Sequence, residues 1–130
     1  MICIDSDCII DFLRGKREAI AIIEEHKEDI VTTEINVFEV YFGIFNKSFI
    51  SEKEKKSAEE FFDSLQKLSF GDRCGKKSSE IFSNLIKEGK TIQQNDALIV
   101  GILAENKVDS IITRNSKHFS IIKKLNVISY

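Results

Sequence analysis

The sequence predicts an α/β fold, a mainly parallel sheet of four or five short strands flanked by helices, on three observations. Short apolar runs alternate along the chain with longer stretches whose apolar residues recur at helical spacing. The chain has no proline and only six glycines, so it carries no linker, repeat or low-complexity tract and reads as packed elements joined by short turns. Its opening, Met1 to Gly15, runs from an apolar Ile2-Cys3-Ile4 through an acidic Asp5-Ser6-Asp7 into an apolar segment, Cys8 to Leu13, with a 3.6-type rhythm. This is the strand, tight turn and helix from which parallel sheets are built. At 130 residues the chain makes one domain, residues 1–130, long enough to bury a core without disulfides or structural metal.

In a strand-then-helix unit the carboxyl end of the strand opens onto the crevice where such folds bind ligands, which places Asp5 at the lip of a site. Ser6 and Asp7 are suited to cap the helix that follows. After Gly15, a helix with Ile20, Ile22 and Ile23 inward is expected to about Lys27, then a strand at Ile30 to Thr33. Thr32 or Thr33 can cap the next helix, Ile35 to Asn46, which carries Phe38, Tyr41, Phe42 and Phe45 and is apolar nearly all round. Its surplus apolar face suits either a partner chain or complete burial at the centre of the domain.

Ser51 followed by Glu54 is a capping-box pattern, and Ala58, Phe61, Phe62, Leu65 and Leu68 then fall at helical spacing. A brief strand is expected at Leu68 to Phe70. Lys76 to Glu88 is an amphipathic helix with Gly89 at its C-terminal cap. Asn95 is a candidate cap for the apolar helix Ala97 to Ala104, with Asp96 in its first turn, where the helix dipole favours a carboxylate. Ser110 to Thr113 reads as a strand, Arg114 to Phe119 as a turn with a short helix, and Val127-Ile128 as a last edge strand.

The 19 basic and 21 acidic residues give a net charge of −2, which excludes a strongly basic nucleic-acid arm but leaves room for a local basic rim. Cys3, Cys8 and Cys74 form neither a disulfide framework nor a paired metal-ligand spacing, and Cys3 and Cys8 lie in apolar runs as small buried hydrophobes. The amino terminus lacks the basic start and apolar centre of a signal peptide. The longest apolar run, Ala97 to Ala104, falls far short of the roughly 20 residues that a membrane span needs. The expectation is a soluble protein in a reducing compartment, the cytoplasm, with no membrane association.

The informative acids are those set in apolar surroundings, because Asp and Glu are rarely buried without a partner. Asp5 ends the first strand, Glu39 sits inside Val37-Phe38-Glu39-Val40-Tyr41-Phe42, and Asp96 precedes the most apolar helix. If three such carboxylates converged they would repel one another. A hard divalent ion, Mg²⁺ or Mn²⁺, relieves that conflict, since it takes oxygen ligands and keeps waters and phosphate oxygens in its shell. No His or Cys cluster competes for zinc.

These acids lie in segments that resemble the PIN-domain family. ICIDSDCIIDFLRG is similar to its opening motif, TEINVFEVYFG to its second, whose glutamate corresponds to Glu39, and IQQNDALIVGILAE to its third, whose aspartate corresponds to Asp96. ITRNSKHFSII resembles the segment near the carboxyl end of the family. The four motifs run in order across nearly the whole chain, whose length suits VapC-type toxins of toxin–antitoxin pairs. The chain departs from the family pattern in the last segment: Asn115 stands where many relatives have a fourth acid, and His118 where another aspartate often lies. Asn115 can still reach an ion through a water.

The resemblance implies a PIN-like sandwich and a metal-dependent endoribonuclease. Asp5, Glu39 and Asp96 would be its catalytic residues and would hold Mg²⁺ or Mn²⁺, and cleavage would leave a 5′-phosphate and a 3′-hydroxyl. RNA requires cations to hold it. Arg14 and Arg114 follow two of the motifs and are candidates for phosphate contact, and Ser6 and His118 are further substrate-binding candidates. The family implies structured RNA such as tRNA, or mRNA, as substrate and a small VapB-type antitoxin as partner. The apolar second face of the Phe38–Phe45 helix suits that antitoxin or a homodimer contact. Two rival readings remain. A haloacid-dehalogenase-like phosphatase would use Asp5 as nucleophile and Asp7 as general acid, and a catalytically silent PIN scaffold would only bind RNA or a partner.

Overall fold

The computed structural model describes residues 1–130. The elements in chain order are β1 (Ile2–Ile4), α1 (Ser6–Leu13), α2 (Arg17–His26), β2 (Ile30–Thr33), α3 (Glu34–Phe45) and α4 (Glu52–Asp63). They continue with β3 (Gln66–Leu68), α5 (Cys74–Lys87), α6 (Gln94–Glu105), β4 (Ser110–Ile112), α7 (Ser116–Phe119) and β5 (Asn126–Ile128). The five strands form one sheet in the order β3-β2-β1-β4-β5, and every pairing is parallel. The chain therefore builds outward from β1 on one side, through β2 and β3, and then returns to add β4 and β5 on the other. β1 and β4 are neighbours on opposite sides of that reversal, and the crevice beyond their carboxyl ends is where open α/β sheets take ligands.

Both faces of the sheet are covered, and the side-chain alternation of a strand divides the core in two. Cys3, Val31, Leu68 and Ile111 point into one core with Ile99, Val100, Ile102 and Leu103 of α6. Ile4 and Ile112 point the other way, into a core shared with α1, α3 and α4 through Ile9, Val40, Ile44, Ala58 and Phe62. α6 has its apolar residues on all sides because it is enclosed on all sides: Ala97, Ile99, Val100, Gly101, Ile102 and Leu103 are buried.

Several local details differ from the sequence expectation. Ile20 is exposed, and Ala19 with Ile23 forms the buried stripe of α2. The third strand ends at Leu68 rather than beginning there. Thr33 caps α3, accepting from the Asn36 amide at 3.2 Å while the Asn36 side chain reaches back to the Thr33 amide. Ser51 caps α4 as expected. α6 starts earlier than Ala97, and Gln93, not Asn95, occupies its cap position. α3 is not buried on every side: Phe38, Phe42 and Phe45 are about half exposed.

α5 and α6 cross at Gly101. A methyl group there would stand 1.8 Å from the Ser78 hydroxyl oxygen and 2.9 Å from the Ser78 backbone nitrogen, so the helices touch with only hydrogen between them. Gly101→Ala must push them apart and is expected to cost about 1–3 kcal/mol despite the better helix propensity of alanine. Thermal denaturation checks this, a Tm several degrees lower being the expected outcome.

Candidate active site

The carboxyl ends of β1 and β4 open into a cavity of about 340 Å³ lined by polar and charged residues, Ile10 being the one apolar side chain. Asp5, Glu39 and Asp96 all face it, together with Ser6, Arg14, Arg114, Asn115 and His118, so every residue singled out from the sequence meets there. Asp7 and Gln93 complete its lining.

Asp5 takes the N-terminal cap position of α1 but does not cap it, and neither Ser6 nor Asp7 does so. Its carboxylate accepts instead from Thr113 Oγ1 at 2.9 Å and from Asn36 Nδ2 at 3.1 Å. Asn36 also donates to Ser6 Oγ at 2.9 Å, and Ser6 donates to Glu39 Oε1 at 2.7 Å. A relay of hydrogen bonds thus runs from Thr33 through Asn36 and Ser6 to Glu39, and it orients two of the three acids before any ligand arrives. Ser6, expected to face substrate, has its hydroxyl engaged in that relay. Asn95, expected as a cap, approaches the other Glu39 oxygen at 3.5 Å.

The third acid is less well provided for. Asp96 is 7% exposed, and its Oδ2 is fully covered with no hydrogen-bond partner. His118 Nδ1 lies 3.4 Å from that oxygen, close enough for an ion pair when the ring is protonated but not aligned as a hydrogen bond. Burial raises the Asp5 carboxyl to about 7, with repulsion from Asp7 and Glu39 adding to it against the hydrogen bonds it accepts. Burial likewise raises Asp96 to about 6, with Glu39 and Asp7 adding to the rise and His118 opposing it. Glu39 and Asp7 therefore act on both carboxyls, as expected of like charges brought near one space.

Asp7 and Asp11, one turn apart on α1, were not singled out as site residues, yet they hold the segment after β4. Asp7 accepts from the backbone amides of Arg114 and Asn115 at 3.2 and 3.1 Å. That engagement leaves Asp7 poorly placed for the general-acid role a phosphatase would require. Asp11 pairs with Lys16, Arg114 and Tyr130. Burial alone would raise its carboxyl, but these partners hold it below the usual carboxylate range. Three aspartates within seven residues, with no cation among them, are the sequence signal for such cross-chain partners. Nothing in the sequence marks Asn36 or Tyr130.

The sequence profile of the PIN domain matches residues 2–125. The chain belongs to the PIN-domain family. Ribonuclease VapC3 of Methanocaldococcus jannaschii is 35% identical to it over 99 residues, which are 76% of this chain and 94% of that protein. Among solved structures, VapBC2 from Rickettsia felis bound to a DNA fragment from its promoter superposes with a TM-score of 0.88 at 19% identity, covering 100% of this chain and 99% of that one. DNA-bound VapBC from Salmonella typhimurium superposes at 0.85 and 18% identity, covering 98% and 96%. These likenesses establish the five-stranded parallel α/β architecture as a PIN fold, and they leave the phosphatase reading without support.

The PIN domain's acidic cavity suits a hard cation in part. A buried carboxylate oxygen without a partner, and two carboxyls raised by burial and by repulsion from Glu39 and Asp7, are what such an ion relieves. No three Asp, Glu, His or Cys side chains stand close enough together to hold a metal ion on their own. Mg²⁺ does not require one, because it commonly binds through one or two carboxylates and keeps waters and phosphate oxygens as its other ligands.

Raised carboxylates give a definite sign. Asp5 and Asp96 hold their protons more readily in the fold than at the unfolded value of 3.8. Their stabilising contribution is full below that value and is lost as pH rises through about 6 and 7. With chelator present, Tm is expected to fall between pH 5 and pH 8, and Asp96→Asn is expected to be at least as stable as the parent at pH 8. A Tm about 5 °C or more below the parent would instead identify Asp96 as a structural support of α6.

Proposed function

We propose that the chain, acting as one PIN unit, is a metal-dependent endoribonuclease and the toxin of a VapBC-type pair, hydrolysing RNA to 5′-phosphate and 3′-hydroxyl ends in the cytoplasm. The observation that carries this reading is the meeting of Asp5, Glu39 and Asp96 from three separate elements in one cavity edged by Arg14 and Arg114. The 35% identity to a named ribonuclease supports it.

In this reading Asp5, Glu39 and Asp96 are the catalytic residues and would hold Mg²⁺ or Mn²⁺, with Asn115 as a further ligand through a water. When bound, the ion offsets charge building on the phosphate oxygens and makes water a better nucleophile. The chain's own residues do the rest. Asn36 and Ser6 fix the orientation of Asp5 and Glu39, so these carboxylates need no rearrangement when RNA arrives. Arg14 and Arg114 supply positive charge at the rim for the phosphates of the strand, and His118 lies beside Asp96 where it can meet the same backbone. Structured RNA such as tRNA, or mRNA, is the substrate class.

A nuclease of this kind requires restraint, and the exposed row Phe38, Phe42 and Phe45 on α3 supplies an apolar face for a VapB-type antitoxin or for a homodimer contact. No helix of the chain is long and apolar enough to cross a membrane.

Purified protein incubated with a defined pool of structured RNAs and Mn²⁺ or Mg²⁺ is expected to cut them, leaving 5′-phosphates. EDTA or Asp96→Asn is expected to reduce cleavage by at least about 10²-fold. A wild type as inert as the mutant across that pool would favour the silent scaffold. Light scattering is expected to show a dimer or a complex with a co-purifying partner, and a monodisperse monomer with nothing bound would remove the proposed role of the phenylalanine row.

A further inference from the structure

Asp11 is not among the proposed metal ligands, yet it is the most thoroughly enclosed carboxylate of the chain, with 1% of its surface exposed. Arg114 Nη1 donates to its two oxygens at 2.8 and 2.9 Å. Lys16 Nζ lies 2.9 Å from Oδ1, and the Tyr130 hydroxyl donates to Oδ2 at 2.7 Å. These contacts join α1 to the loop after β4 and to the segment that follows β5. Stability alone is a weak reason for such an arrangement, because an apolar residue of similar volume commonly replaces a buried ionic cluster without loss. Geometry is the better account. Asp7 fixes the Arg114 backbone amide one helical turn away, and Asp11 fixes its guanidinium, so the residue is held at both ends.

A guanidinium carries five N–H donors in a rigid fork. Only Nη1 is engaged by Asp11, which leaves Nε and Nη2 on a half-exposed side chain that lines the acidic cavity. We propose that Asp11 is a positioning residue, which holds Arg114 so that its remaining donors meet a phosphate of the RNA strand beside the one being cut, with Tyr130 and Lys16 holding Asp11 in turn. The inference rests on the nuclease reading above. Charge makes it decidable: Asp11→Asn removes a negative charge, so if Asp11 acted only through the general field the mutant would bind RNA more tightly. Positioning predicts the opposite sign.

The experiment is steady-state cleavage of one RNA that the wild type cuts, with KM and kcat resolved, for Asp11→Asn, Arg114→Ala, their combination and Tyr130→Phe, each checked for folding by thermal denaturation. Asp11→Asn and Arg114→Ala are each expected to raise KM about tenfold with kcat nearly unchanged, and the double variant to be no worse than Arg114→Ala. Tyr130→Phe, which removes a single hydroxyl, is expected to raise KM about two- to threefold. A KM at or below the wild-type value for Asp11→Asn overturns the proposal, and so do effects that multiply in the double variant. If Asp11→Asn does not fold, Tyr130→Phe decides, and an unchanged KM overturns the proposal. A wild type that cuts no RNA removes the nuclease reading and this inference together, whereas normal cutting by Asp11→Asn and Arg114→Ala removes this inference alone.

Discussion

A carboxylate buried at the crest of a parallel sheet is the constraint around which this PIN domain is arranged. Asp5 ends the central strand, and burying its charge is costly unless hydrogen bonds satisfy it. The partners come from both directions: Thr113 lies after β4 on one side, and Asn36 in the first turn of α3, after β2, on the other. One side chain therefore ties three successive elements of the sheet at their carboxyl ends. The topology makes this possible, because only at the reversal beside β1 do loops from both halves of the chain reach one point.

α3 shows how a single helix serves three environments. Asn36, Val40 and Ile44 form its buried stripe, Phe38, Phe42 and Phe45 its solvent stripe, and Glu39 points between them into the cavity. A helix with apolar residues on opposite sides has little amphipathic signature, which is why its sequence is compatible with both a buried and a half-exposed placement. Only the position of its neighbours decides. α6 has a similar composition and is enclosed, because α5 crosses it at the Gly101 contact and the sheet covers another face.

The strand–helix alternation, the parallel sheet and the three acids were legible because each is a local pattern: a short apolar run, a helical period, a carboxylate among hydrophobes. The positions of Asp5, Glu39 and Asp96 on one cavity followed from the strand–helix rule and the family motifs together. The support around them was not legible. Asn36 reads as an ordinary first-turn residue, and its role depends on where Ser6 and Asp5 lie some thirty positions away. Asp7 reads as a helix cap and Asp11 carries no reading of its own until the loop after β4 is brought against them, 103 to 108 positions later in sequence. Caps were legible where the cap residue bonds within its own turn, as at Thr33 and Ser51. They were misjudged at Ser6 and Asn95, whose side chains turn toward Glu39 instead.

The three cysteines acquire a meaning that their spacing does not suggest. All are free and buried: Cys3 in the core beneath α6, Cys8 in the opposite core, and Cys74 at the start of α5. Burial also pushes the Cys3 and Cys8 thiols upward, Cys8 to about 12, which suppresses the thiolate that alkylating reagents attack. Two of these thiols flank the Asp5 carboxylate in sequence, one on each side of the sheet. Burial shields all three sulfurs in the folded chain, so the order in which they become reactive under mild denaturant reports which half of the molecule opens first.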